Sequence, residues 1–119
     1  MTARRKPRRP PSGPAYNKLE AILARLMDEA GIDYEWRFRL GRYVHDFKLP
    51  NRALIEVNGT WWHADPRFHS PGRLNPTQQR NLQRDAVRAE FAQLCGYRVK
   101  TIWERDIRAG RVTAADLTR

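Results

Sequence analysis

Cysteine is nearly absent from this sequence. A lone thiol, Cys95, excludes an internal disulfide framework and a cysteine-rich zinc site alike. It also makes a reducing, intracellular setting the simplest expectation. No apolar run approaches the roughly 20 residues that a bilayer-crossing helix requires. The basic N-terminus leads into no apolar segment, so it lacks the form of a secretory signal. Internal repeats are absent. Acid is missing altogether from the first fourteen residues, "MTARRKPRRPPSGP", which hold five basic side chains, Arg4, Arg5, Lys6, Arg8 and Arg9.

What is present is a basic chain of 119 residues, 40% hydrophobic and 30% charged, which suits one globular domain. Lys and Arg number 23 against 13 Asp and Glu, a net charge of +10. Without the first fourteen residues the balance is 18 against 13, or +5, so the body is basic on its own account. Polyanions are the expected partners, nucleic acid first among them. The plainer alternative is charge that only keeps the protein in solution. Residues 1–14 read as a disordered basic arm and residues 15–119 as one domain. The arm suits phosphate contact. A localisation signal and a solubilising tail are its alternatives.

Hydrophobic spacing then divides the body. Leu19, Ile22, Leu23, Leu26, Met27 and Ala30 recur at helical period, predicting a helix over 16–30. Asn17 and Glu20 have capping-box form and Gly31 is a stop. Tyr34, Trp36, Phe38 and Leu40 alternate with charges as a half-buried strand. Gly41-Arg42 makes a turn, 43–49 a second strand, Pro50-Asn51 another turn, and "ALIEVN", 53–58, a third strand. Residues 59–76 show no periodicity and are long for a structureless loop, a hint of function. A helix follows over 77–95, with Thr77 as its cap and Val87, Phe91, Leu94 and Cys95 as its buried face. "YRVKTIW", 97–103, is a fourth strand, and a short helix starts near Thr113. A helix between strands three and four permits a parallel right-handed crossover. The expected fold is α/β, a mixed four-stranded sheet flanked by helices.

The polar residues fall at telling places on that frame. Asp46 on strand two and Glu56 on strand three are carboxylates on neighbouring strands, where strands give way to loops. Magnesium asks for only one or two protein carboxylates beside phosphate and water. His63 lies a few residues past the strand end, within reach of a water near such a metal. A metal that neutralises phosphate charge, with a base to activate water, is the minimum for phosphodiester hydrolysis.

Asp46, nine intervening residues, then Glu56-Val57-Asn58 resembles the PD-(D/E)XK nuclease signature, with Asn58 in place of the usual lysine. The helix, three strands, helix, strand order is that of the restriction-endonuclease-like core. Further motifs resemble the very-short-patch-repair endonuclease family. They are Val57-Asn58-Gly59-Thr60-Trp61-Trp62-His63, then Asn81-Leu82-Gln83-Arg84-Asp85, Gly96-Tyr97-Arg98-Val99 and Ile102-Trp103-Glu104. A related group of homing endonucleases, named for a Glu, Asp, His, Asp set, uses the same parts, and Glu20 fits the first of them. The resemblance covers roughly residues 16–107.

This resemblance implies that Asp46 binds the metal, Mg²⁺ with Mn²⁺ as the alternative, and that Glu56 is a second carboxylate beside it. It implies that His63 activates water or contacts the scissile phosphate. Glu20 and Asp85 would orient His63 or metal-bound water. Trp61 and Trp62 match positions that wedge into the base stack, and Asn58 joins them among the DNA-contacting residues, with the arm. Three departures stand out. Asn58 replaces a histidine and cannot take a proton. Glu56 sits where the repair family has an apolar residue. One cysteine cannot supply that family's structural zinc. They separate the chain from T:G mismatch specificity and leave the nuclease reading in place.

Plainer roles exist for several of these side chains. Glu20 serves as a capping partner, Glu56 as an arginine's partner, His63 as a loop histidine, and the tryptophans as packing. Asp65 is a spare ligand, while His45 and His69 read as structural or exposed. The expected activity is a metal-dependent DNA endonuclease that nicks duplex DNA, located with DNA in the cytoplasm. A resolvase of branched DNA and a non-catalytic nucleic-acid-binding module are the alternatives. The short chain has little room to read sequence, so specificity is expected from homodimerisation or from a partner protein.

Overall fold

The structure, a computed structural model, describes residues 18–119. The expected basic arm and the Asn17 cap lie outside the described residues. The element order is α1 (Lys18–Ala30), β1 (Glu35–Leu40), β2 (Tyr43–Leu49), β3 (Ala53–Asn58), α2 (Pro76–Leu94), β4 (Arg98–Trp103), α3 (Glu104–Arg108) and α4 (Ala114–Thr118). The sheet order is β1-β2-β3-β4. β1–β2 and β2–β3 are antiparallel, while β3–β4 is parallel, with α2 as the crossover. The mixed sheet flanked by helices is thus the expected fold class. Among the described residues no helix is long and apolar enough to cross a membrane.

One face of the sheet carries the main core. Leu19, Leu23, Ala24 and Met27 of α1 meet Phe47, Leu49, Ala53, Ile55 and Ile102 of the sheet, with Ile107 and Leu117 of the short C-terminal helices. Ile22, expected on the buried face of α1, is half-exposed. α3 was not expected; it follows Trp103 directly, and its Ile107 closes the core edge. α4 begins at Thr113, whose hydroxyl and Asp116 form a capping box.

The other face meets α2, and there the expectation fails. Val87 is 54% exposed, Leu94 80%, and Cys95 is exposed too. The buried members of α2 are Gln78 and Ala92. The inward stripe runs Gln78, Asn81, Asp85, Arg88, Ala92, at spacings of three and four that share one helical face. Four of its five members are polar, so apolar periodicity could not reveal it. The cap is Asn75 rather than Thr77. Asn75 Oδ1 accepts from the Gln78 N–H at 2.8 Å, with Pro76 at the first helical position.

Local backbone geometry fixes how the sheet meets α2. Gly41, in the two-residue turn between β1 and β2, has φ +62°, a conformation glycine adopts without steric cost. Its missing side chain also leaves room for Phe91 of α2, since a Cβ there would lie 2.8 Å from the ring. Tyr43 packs on the same ring, centroids 5.4 Å apart. After β2, Asn51 and Arg52 both have positive φ. The Arg52 side chain is held, donating to the Cys95 carbonyl at 3.3 Å and stacking on Tyr97 at 4.9 Å.

Gly41→Ala combines left-handed strain of roughly 1–2 kcal/mol with a collision against Phe91. Thermal denaturation is expected to show a clear loss of stability, larger than for Gly72→Ala, where no atom lies within 4 Å of the added Cβ. Equal melting temperatures for the two variants would mean that the hairpin is not seated on α2 as described.

Candidate active site

The site begins where two strands part. β2 and β3 pair through Leu49–Ala53, Lys48–Leu54 and Phe47–Ile55, and the ladder stops there. β3 continues beside β4 to Asn58–Trp103. Opposite the break, Arg37 of β1 has φ +54°, and the Arg37–Asp46 pair is missing from an otherwise continuous register. Phe47 belongs to the α1-side core, yet His45, two residues earlier, meets Glu56 and through it Arg88 of α2. Side chains two apart in a regular strand share a face. The local twist at Asp46 sends them to opposite layers instead.

Asp46 fills the gap it helps to open. Its Oδ2 accepts from the Val57 N–H at 2.7 Å, replacing the ladder bond that the parted strand no longer makes. Its carboxyl also shares a hydrogen bond with Glu20, which is buried on α1. Burial pushes the Asp46 pKa up to about 8, with the neighbouring charges of Glu56 and Glu20 adding to the rise and the Val57 N–H opposing it.

Glu56, expected to face a metal, is already engaged. Its Oε1 accepts from His45 Nδ1 and, at 3.0 Å, from Arg88 Nη2. The same Arg88 nitrogen donates to the Val44 carbonyl at 2.7 Å, so it braces both strands at their parting. His45 is fully buried, and its Nε2 has no partner among the described residues. Neither His45 nor Arg88 was anticipated as part of the site. Arg88 lies three residues after Asp85, a spacing that could have flagged it.

One turn earlier on α2, Asp85 Oδ2 accepts from His63 Nδ1 at 2.6 Å. That bond fixes the Nδ1–H tautomer and leaves Nε2 able to take a proton. The loop carrying His63 is built from successive turns. His63 N–H donates to Gly59 O, Ala64 to Trp61 O, and Asp65 to Thr60 O. α2 grips it from below. Gln78 Nε2 donates to Trp61 O and Asn81 Nδ2 to Trp62 O, each at 2.7 Å. With these carbonyls held, the two indoles face outward, 49% and 58% exposed and edge-to-face at 4.7 Å.

Other expected members lie elsewhere. Asn58 is buried at the end of β3, so the structure does not present it to a ligand at the surface. Asp65, the spare ligand, is fully buried and clasped by the Arg67 guanidinium, which holds its carboxyl below the usual range. Arg67 continues to Asp106 of α3, tying the loop to the C-terminal helices. His69 is buried at Nδ1 without a partner among the described residues.

Among the described residues, no three His, Cys, Asp or Glu side chains converge as a ready-made metal cage. Two carboxyls do meet, at Glu20 and Asp46, and they are hard oxygen donors in a place where negative charge is disfavoured. That fits a cation which keeps most of its ligands as water and phosphate. Glu56 fits less well, since its oxygen already serves His45 and Arg88.

The raised Asp46 value makes stability depend on pH. Its neutral form supports the fold fully below the unfolded value of 3.8, and that support is lost as pH rises through about 8. In metal-free buffer, the wild-type melting temperature is therefore expected to fall across this window. Asp46→Asn, neutral throughout, is expected to flatten the fall. Identical slopes in a pH series of melts would refute the assignment.

No family model matches the chain, and no curated protein sequence matches it. Among solved structures, it is similar to the catalytic domain of the homing endonuclease I-Bth0305I. The TM-score is 0.56 and the identity 23%, over 76% of this chain and 80% of that chain. The likeness shows a shared fold, the mixed sheet flanked by helices.

Proposed function

We propose that this protein is a metal-dependent DNA endonuclease that nicks duplex DNA. The observation that carries the proposal is the pairing of His63 with Asp85 on the helix whose Arg88 holds Glu56, together with the Glu20–Asp46 carboxyl pair on which the charge of Glu56 acts. An oriented histidine and a buried acid pair, both tied to α2 through Asp85 or Glu56, are poorly explained by binding alone on a basic body, because bare carboxylates repel phosphate. The fold shared with a homing endonuclease catalytic domain supports the same reading.

In this reading Asp46 and Glu20 hold Mg²⁺, with Mn²⁺ as a substitute. When bound, the ion neutralises phosphate charge and acidifies water. His63 Nε2 accepts the proton of the attacking water, and Asp85 keeps the imidazole in the required tautomer and stabilises its protonated form. Glu56, held by Arg88 and His45, braces the parted strands and so positions Asp46. Trp61 and Trp62, both exposed, wedge against bases in this reading, as apolar side chains do when they unstack a duplex. Homodimerisation or a partner protein would supply specificity.

Supercoiled plasmid incubated with the purified protein is expected to become open circles with Mg²⁺ and to stay supercoiled with EDTA. Asp46→Ala should abolish nicking, and His63→Ala should slow it about 10²–10⁴-fold. Asp85→Asn should also slow nicking and alter its pH profile. Mg²⁺ at pH 8 should raise the melting temperature of wild type and not that of Asp46→Ala. Cutting by Asp46→Ala would place the chemistry elsewhere. Cleavage of four-way junctions in preference to plasmid would instead identify a resolvase.

A further inference from the structure

Beside its inward polar stripe, α2 carries a second row. Arg80, Arg84 and Arg88 follow one another at intervals of four, so they lie along one side of the helix. With Gln83, Val87 and Tyr43 they line a groove between α2 and the start of β2. Three guanidinium groups in a row repel one another, and neutralisation within the protein is incomplete. Arg88 has Glu56. Among the described residues the Arg80 guanidinium bonds only the Thr77 hydroxyl, at 3.3 Å. Arg84 is exposed, and its guanidinium has no hydrogen-bond or ion-pair partner among the described residues. No acidic side chain lines the groove. The nearby carboxylates Asp85 and Glu56 are committed to His63, His45 and Arg88.

The groove is also joined to the candidate site. Arg88 at one end donates to Glu56, whose charge acts on Asp46. From Arg88 to Arg80 is eight residues, about 12 Å along a helix. That length matches about three nucleotides of a duplex strand at 3.4 Å each. Guanidinium groups suit this task, since their fork of donors matches phosphate oxygens. Base stacking is not what the groove offers: the Tyr43 ring already has Arg42 and Arg88 over it and Phe91 at its side.

We propose that this groove is a track for the DNA backbone flanking the cut, in which Arg80 and Arg84 bind phosphates of one strand and Arg88 marks the end nearest the carboxyl pair. The proposal rests on the nuclease reading for its ligand and adds to it a contact outside the chemistry. An acidic protein partner is the competing occupant, disfavoured because the row of arginines ends at Arg88, which is bonded to the Glu56 that acts on Asp46.

The test uses the full chain carrying Asp46→Ala, which prevents cutting, and a labelled 20-base-pair duplex followed by fluorescence anisotropy over a range of NaCl. Each of Arg80→Ala and Arg84→Ala is expected to weaken binding several-fold at moderate salt. Each is also expected to reduce the slope of log K against log [salt] by about 0.9, the contribution of one phosphate, and the double variant by about 1.8. Arg84→Lys should retain the slope. Arg119→Ala, at the end of the chain just after α4, should behave as the parent. Slopes and affinities unchanged in the double variant would overturn the proposal and point to another occupant, and so would failure of the parent to bind duplex at low salt. Plasmid nicking by the chain with native Asp46 is scored separately. If it fails while the groove variants lose slope, the nuclease reading falls and the DNA track stands.

Discussion

The bond from the Val57 N–H to the Asp46 carboxylate is the constraint on which the candidate site depends. An antiparallel pair that simply continued would zip β2 to β3 and leave no opening. Stopping the ladder exposes a backbone amide, and a buried amide without an acceptor costs about 1–3 kcal/mol. The Asp46 carboxyl accepts from that amide and so stabilises the parted arrangement. The same carboxyl is then held against Glu20 and near Glu56, which raises its proton affinity. Opening the sheet and assembling a charged site are therefore one event in this fold, produced by one side chain.

α2 turns that opening into a defined geometry. Its inward stripe takes hold of five groups in succession: the Trp61 carbonyl, the Trp62 carbonyl, the His63 ring, the Glu56 carboxylate and the Val44 carbonyl. Each such bond contributes on the order of 1 kcal/mol net, or more where a charge takes part. Their greater effect is positional. Apolar contacts tolerate sliding, whereas directional bonds to fixed carbonyls do not. A polar helix face thus sets the register between α2 and the loop, and Phe91 over Gly41 sets it between α2 and the hairpin.

The sequence made the sheet legible because alternation and turn chemistry agree along β1, β2 and β3. Gly31, Gly41 and Gly96 fall where the elements end or turn, and all three have positive φ. The crossover through α2 followed from element order alone. The face of α2 was not legible. Hydrophobic spacing selected Val87 and Leu94, because the true inward stripe is written in Gln, Asn, Asp and Arg. In the site, Asp46 stood out as an acid inside an apolar strand, and His63 as a histidine in a long loop. Their hydrogen-bond partners were only partly foreseen. Asp85 was singled out on motif grounds. His45 and Arg88 claim Glu56 through contacts 11 and 32 residues apart, which no local pattern encodes. Asn58 and Asp65 looked available as polar residues in the motif, yet one ends a buried strand and the other is neutralised by Arg67 two positions on.

The backbone of Arg37 has a consequence far from any chemistry. β1 is the outermost strand, so its free edge is a template on which a strand of another molecule could assemble. A long flat edge would invite that growth. The left-handed residue at Arg37 interrupts the edge near its middle, and the charged side chains of Glu35, Arg37 and Arg39 are all exposed along it. The deformation that opens the sheet on its inner side therefore also blunts its outer side as a template for further strands.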